Sequence, residues 1–396
     1  MHFSSRTSWE FRRNTLTQLV AHRRNEGEPL YDWTLANPTL CGFAYDRGRI
    51  GPALGAPAAF VYAPEPAGMF SARKAVAEFL VGHGMPVSPE RLLLTASSSE
   101  AYGYLFRLLC GPGDAILIPK PGYPLFDDLA RLHDVEIVPY RSHYAGGWHL
   151  DEESVRDAIT PATRAIVVVH PNNPTGAFLA PREQDALAAI ARERRLALIA
   201  DEVFLTFPFA GSPHGVSFGG VAAPLVFTLN GLSKAAGLPQ MKLGWIAVHG
   251  EASPVGEAMQ RLEMIADTFL SVNTPVQIAL PEILAAGSAT GEAIRERVSA
   301  NYAGLSSVLE GSPVSVLHAE AGWSAILRLP GFMSDEAWAV ELLAREGLLV
   351  HPGHFFDLPF DAAIVVSLLP EGPVFRAYAE KLIAVVHGVG HRDPQS

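Results

Sequence analysis

Three side chains in this sequence have the types and spacing to act together on one small molecule. Asn173 stands in Pro171-Asn-Asn-Pro-Thr-Gly176, and Asp201 opens Asp201-Glu-Val-Phe204 28 residues later. Lys234 follows after a further 33, in Thr228-Leu-Asn-Gly-Leu-Ser-Lys-Ala-Ala-Gly237. A lysine amine condenses with a carbonyl carbon, and a carboxylate holds a nearby nitrogen protonated. Most lysines on loops are only solvated charges. This one follows the apolar run Leu225–Leu229 and is boxed in by Gly231, Ser233 and Gly237, small residues that let the backbone approach a bound group closely. Asp201 directly follows the apolar run Leu196–Ala200, and a carboxylate at a strand's C-terminal end is placed for a crevice ligand. Its plainer reading is a cap, a role open to Glu202 as well.

Two further segments complete the set. Ser97-Ser-Ser-Glu-Ala101 opens a helix after the strand-like run Leu92–Thr95. Free amides and the helix dipole at such a start bind phosphate, and the same residues also read as a Ser/Glu capping box. The two roles are compatible. Tyr123, in Lys120-Pro-Gly-Tyr-Pro124, is an aromatic on a proline-rigidified loop.

Asn173, Asp201 and Lys234, in this order and spacing, resemble the class I/II aminotransferase family of pyridoxal-phosphate-dependent enzymes of fold type I. The resemblance runs from about Trp33 to the final helical segment. It implies a Lys234 aldimine (Schiff base) with pyridoxal 5'-phosphate, Asp201 on the pyridine nitrogen, Asn173 donating to the phenolic oxygen and Tyr123 stacked on the ring. The amides of Ser98 and Ser99 would hold the phosphate. Tyr62, in Tyr62-Ala-Pro-Glu-Pro-Ala-Gly68, matches a tyrosine that reaches the neighbouring subunit's phosphate. A homodimer with shared active sites follows if that role carries over, the competing reading being a buried core tyrosine. No metal is implied.

The sequence departs from the family's pattern in several places. Lys242 stands where an arginine usually grips phosphate, keeping the charge and losing the planar fork. Gly231 replaces a phosphate-binding serine, with Ser233 as the candidate substitute. Phe204 replaces a tyrosine that donates to the phenolic oxygen, so the aldimine pKa is expected to rise. Val365, in Ala363-Ile-Val-Val-Ser-Leu-Leu369, occupies the place of the arginine that binds a substrate carboxylate. Either the substrate lacks a conventional carboxylate or another group supplies the charge, His351 and His354 being the candidates. In the arm, Ala36 replaces a glycine beside the substrate carboxylate.

Positioning these groups requires a layered scaffold. Strand-like runs at Arg91–Thr95, Ala115–Ile118, Glu136–Pro139, Arg164–His170, Leu196–Ala200, Leu225–Leu229 and Leu243–Val248 alternate with helical periodicity. Nearly all-apolar strands separated by helices predict an α/β fold whose large, mainly parallel seven-stranded sheet is covered on both faces. A smaller α+β unit follows: a helix from Pro275 to about Leu309, paired strands in Val314–Leu329, a helix at Asp335–Glu346, strands at Leu348–His351 and Ala363–Leu368, and a last helix at Val374–Val386. With a helical stretch around Trp9–Arg24, the expected division is an arm at 1–45, a large cofactor-binding domain at 46–275 and a small domain at 276–396.

Composition fits a two-domain globular protein of 396 residues, 48% hydrophobic and 18% charged. The net charge of −11 argues against a nucleic-acid or anionic-membrane surface. The longest apolar runs, such as Ala165–Val169, fall far short of the roughly 20 residues that cross a bilayer. Two cysteines, Cys41 and Cys110, suggest a reducing compartment, and a cytoplasmic location is expected. The expected activity is transfer of an amino group from an amino acid or amine to a keto compound. The alternatives are a lyase or decarboxylase acting at Cα, and a non-catalytic cofactor-binding sensor. The sensors of this kind carry a DNA-binding domain in front, for which about 30 preceding residues are too few.

Overall fold

Eight strands build the main sheet in the computed structural model, which describes residues 1–9, 14–213, 215–270 and 272–390. They are β1 (Leu92–Thr95), β2 (Ala115–Lys120), β3 (Glu136–Tyr144), β4 (Trp148–Leu150), β5 (Thr163–Val169), β6 (Ala197–Asp201), β7 (Leu225–Gly231) and β8 (Gly244–Gly250). Their order across the sheet is β1-β8-β7-β6-β5-β2-β3-β4. The five strands from β7 to β3 run parallel, whereas β8 lies antiparallel between β1 and β7. The central strands are apolar and buried over most of their length, as residues 165–169 and 197–200 are, which only a sheet covered on both faces tolerates.

The eighth strand was not legible. Trp148–Leu150 is three residues long, carries no apolar run, and pairs with β3 in a hairpin turned at Gly146-Gly147. Tertiary packing of Trp148 and Leu150, both buried, makes it a strand.

Beyond the sheet runs the long helix Thr274–Val308, started by Asn273, whose side chain accepts from the Val276 N–H. A second sheet contains β9 (Ser315–Val316), β10 (Ser324–Arg328), β11 (His351–Pro352) and β12 (Ala363–Ser367), in the order β9-β10-β12-β11 and antiparallel throughout. The single strand expected at Leu348–His351 is divided. Leu348–Leu349 pairs in parallel with Tyr31–Asp32 of the arm, and His351–Pro352 joins β12. Arm residue Trp33, fully buried, donates its backbone N–H to Leu349 and accepts from Ser367, tying the arm to this unit. The arm's helix is Thr15–Glu26, packed on the helix Asp335–Glu346; part of the stretch expected from Trp9 lies outside the described residues. Among the described residues no helix is long and apolar enough to cross a membrane.

Candidate active site

The C-terminal ends of β5, β6 and β7 and the first turn of the helix Ser98–Leu109, here α1, open onto one cavity of about 370 Å³. That is where an open α/β sheet binds ligands, because the strands end there and the following loops diverge. Ser98, Ser99, Tyr123, Asn173, Asp201, Phe204, Ser233, Lys234, Lys242 and Ala36 all line this cavity. Residues up to 206 positions apart in sequence are thus gathered around one cavity.

Each is set by local chemistry. Asp201 is the last residue of β6, in register with Val169 on β5 and Leu229 on β7. Its Oδ1 accepts the Val203 N–H at 3.2 Å and its Oδ2 the Tyr102 hydroxyl at 3.1 Å. Burial raises its pKa to about 6, against the pull of those two donors and of Lys234. Lys234 lies in the short helix Leu232–Ala235 that begins where β7 ends. Burial lowers its pKa to about 8, opposed by the negative charge of Asp201. Both groups sit deep in the protein yet keep a partly exposed tip on the cavity.

At the start of α1 the Ser97 cap forms, but Glu100 reaches back to the amide before the cap residue rather than to that of Ser97, so the expected capping box is only half made. Ser97 Oγ accepts the Glu100 N–H at 3.1 Å, and a Glu100 carboxylate oxygen accepts the Ala96 N–H at 2.6 Å. Ser98 and Ser99, as the first two helical residues, have amides with no intrahelical acceptor, so cap and anion cradle coexist. The loop bearing Tyr123 is pinned from the second sheet's side: Gly122 N–H donates to Phe356 O at 3.0 Å, and Lys120 ion-pairs with Asp357. Asn173 follows Asn172, whose side chain accepts from Thr175 and donates to Pro121 O at 3.2 Å, knitting this turn to the Tyr123 loop.

A profile of the family Aminotransferase class I and II matches residues 48–371. The chain belongs to that family. Among relatives, the glutamate-pyruvate aminotransferase AlaA of Escherichia coli strain K12 is 31% identical over 262 residues, 65% of this chain and 64% of the relative, so the match spans just under two thirds of that protein. An alanine aminotransferase of Mycobacterium bovis is 27% identical over 384 residues, 93% of this chain and 88% of its own. Among solved structures, an aminotransferase from Escherichia coli superposes with a TM-score of 0.86 at 25% identity, covering 98% of both chains. The α/β architecture, a large mixed sheet of mostly parallel strands, is the fold type I of this family.

Tyr62, Val365, His351 and His354, all singled out from the sequence, lie elsewhere. Tyr62 is exposed, at 72%, and does not line this chain's cavity, nor is it a core tyrosine. Val365 is 2% exposed on β12, opposite Ile326 and His351, and belongs to an apolar cluster with Trp148 and Phe356. Of the two histidines considered for a missing charge, His351 pairs along that strand, and His354 Nδ1 lies 3.1 Å from Asp335 Oδ2. Neither lines the cavity. The glycine at position 231 has a physical reason. A Cβ there would stand 2.9 Å from Gly244 Cα across the β7–β8 pair, so the serine expected by resemblance does not fit this backbone.

Tyr102 and Trp323 are among the lining residues that escaped sequence reading. Tyr102 lies four residues after Ser98 and therefore on the same helix face, a signal that was available. Trp323 gave no local signal. It comes from the C-terminal third, brought in because Glu320 and Ala321 N–H both donate to Gly176 O and Gly322 N–H to Phe207 O. Gly176, at φ +67°, permits that approach: a Cβ there would fall 2.4 Å from Ala321 O.

Proposed function

We propose that this chain is a pyridoxal-phosphate-dependent aminotransferase that moves an amino group from an amino acid or amine to a keto compound. One observation carries the reading: Lys234 and Asp201 share a cavity that is also lined by a helix start with two free amides. The residues present fit the cofactor. Lys234 supplies the amine, Asp201 the acid for the ring nitrogen, Asn173 a donor for the phenolic oxygen, and Tyr123 an aromatic face. Ser98, Ser99, Ser233 and Lys242 supply phosphate donors. Pyridoxal phosphate, when bound, supplies an electron-withdrawing ring that stabilises negative charge at a substrate Cα.

The chain's own part is proton management. With a pKa of about 8, roughly a tenth of Lys234 is the neutral, nucleophilic amine at pH 7, against well under a thousandth for an ordinary lysine. With the cofactor held in this cavity, the same amine would be the base available for a proton on a substrate Cα. Asp201 is mostly ionised at neutral pH, and a cationic ring nitrogen beside it favours that form further. Phe204 and Trp323, both buried, line the cavity and set apolar ring faces beside the Lys234 amine.

In this reading the chain divides into an arm (1–45), a large domain (46–275) and a small domain (276–396), and works in the cytoplasm as a homodimer. Exposed Phe60, Val61, Tyr62 and Phe70 support a partner on that face, with Tyr62 available to the neighbouring site. A lyase or decarboxylase acting at Cα is the second reading. Val365, apolar and packed among apolar neighbours, favours it, because a substrate carboxylate held without a cation is destabilised and more easily lost.

The test is an amine-donor screen on protein loaded with pyridoxal phosphate, comparing α-amino acids with carboxylate-free amines. Accumulation of the pyridoxamine form with release of a carbonyl product supports transfer. Regeneration of the starting absorbance with an eliminated group or carbon dioxide supports the second reading. Failure of borohydride to trap an adduct on Lys234 removes both.

A further inference from the structure

Tyr102 is 3% exposed, one helical turn after Ser98 at the anion-binding start of α1, and its hydroxyl is 3.1 Å from Asp201 Oδ2. Its ring is clamped edge-on against Phe126, with centroids 5.1 Å apart, so the hydroxyl has little freedom to leave. Burial and the neighbouring Asp201 charge push its own pKa well above the usual tyrosine value, which keeps it a donor at every working pH. Val203 N–H occupies the other carboxylate oxygen. The two donors together fix the carboxylate plane at the end of β6.

We propose that Tyr102 is a positioning residue for Asp201, its hydroxyl fixing the carboxylate's orientation toward the cavity and tying it to the helix that holds the anion site. Ser98 and Tyr102 share one helix face, so α1 sets the distance between phosphate end and acid end as one rigid body. The chemical use rests on the cofactor reading above, but the hydrogen bond belongs to the chain itself and is testable without cofactor. The titratable groups facing Asp201 are Tyr102 on α1, Lys234 after β7 and Glu202 next in sequence, with Tyr140 on β3 beyond Tyr102.

The sign is fixed by linkage. Asp201 binds its proton more tightly folded than unfolded, so its contribution to stability is fully present at low pH and lost as pH rises through about 6. Removing the Tyr102 donor raises that affinity again, by roughly one pH unit for a hydrogen bond to a charged group. Tyr102→Phe keeps the ring packed on Phe126. In cofactor-free full-length protein, the loss of thermal stability relative to wild type should therefore widen between pH 5 and pH 8. It should become pH-independent in an Asp201→Asn background. In protein loaded with pyridoxal phosphate, the acid limb of cofactor affinity should move up by the same unit. A Tyr102→Phe deficit that is equal at every pH, with an unmoved acid limb, would mean plain packing and overturn the proposal. Wild type that binds no cofactor would overturn the cofactor reading alone, since the cofactor-free stability profile still decides Tyr102.

Discussion

The ammonium of Lys234 sits 4.6 Å from the centre of the Trp323 ring, and 5.3 Å from that of Phe204. Two opposing effects meet there. Ring faces attract the cation, by about 0.5–2 kcal/mol, while exclusion of water disfavours it, by up to 3–5 pKa units when burial is complete. The larger effect wins, since Lys234 lies below the ordinary lysine range.

Trp323→Leu therefore admits water and raises the Lys234 pKa toward that of a free lysine. The pH midpoint for borohydride-trapped reaction of Lys234 with pyridoxal phosphate should move up by about one unit. A downward move would show that cation–π attraction, lost with the ring, outweighs hydration.

Glu202 is 2% exposed and accepts from Ser217 Oγ and Phe218 N–H. Burial raises its pKa to about 8, with Asp201 adding to the rise. Folded protein thus holds this proton where unfolded chain releases it, so stability falls between pH 5 and 8 by up to about 1.4 kcal/mol per unit for this one group. Glu202→Gln keeps shape and acceptor oxygen and should flatten that slope in denaturant titrations at several pH values. An unchanged slope would place the ionised form in the core.

Phe204 is 8% exposed, packed edge-on to Trp323 at 5.4 Å, and offers no hydroxyl to the cavity it lines. Phe204→Tyr should lower the pH midpoint of the absorbance change in cofactor-loaded protein by roughly one unit, the effect of one added hydrogen bond to an oxyanion. Spectroscopic titration of both proteins decides it. A midpoint that does not fall contradicts the role given to this position.

Val365→Arg would force a guanidinium among Trp148, Ile326 and Phe356. An unpaired buried charge should cost about 3 kcal/mol or more, read as a lower denaturation midpoint without improved use of α-amino acids. A variant as stable as wild type, with tighter amino-acid binding, would mean that the side chain reaches the cavity and that one missing cation alone set the donor preference.

Much of the site was legible because strand ends announce themselves. Asp201 and Lys234 each follow an unbroken apolar run, and Ser97-Ser-Ser-Glu carries a capping signature, so their chemistry and neighbourhood could be read in one dimension. The helix Asp335–Glu346 has the bounds its sequence predicts, and the structure adds Ser334 as its cap, the side chain accepting the Ala337 N–H. Tyr102 lay one step further, at the spacing that shares a helix face. The short strand Trp148–Leu150, the divided strand at 348–352 and the antiparallel placement of β8 had no comparable signal.

By itself the sequence determined which groups could do the chemistry and that central strands would carry them, because local apolar pattern and capping are properties of neighbours in the chain. Only the tertiary structure decided that Trp323 lines the cavity, that Val365 is turned into an apolar cluster away from it, and that Gly231 stands against Gly244. Those outcomes depend on backbone hydrogen bonds and on approaches between separate segments too close to admit a Cβ, as at Gly176 and Ala321. Contacts of that kind leave no periodic trace in the chain, since each is fixed by how two packed units meet rather than by the residues beside it.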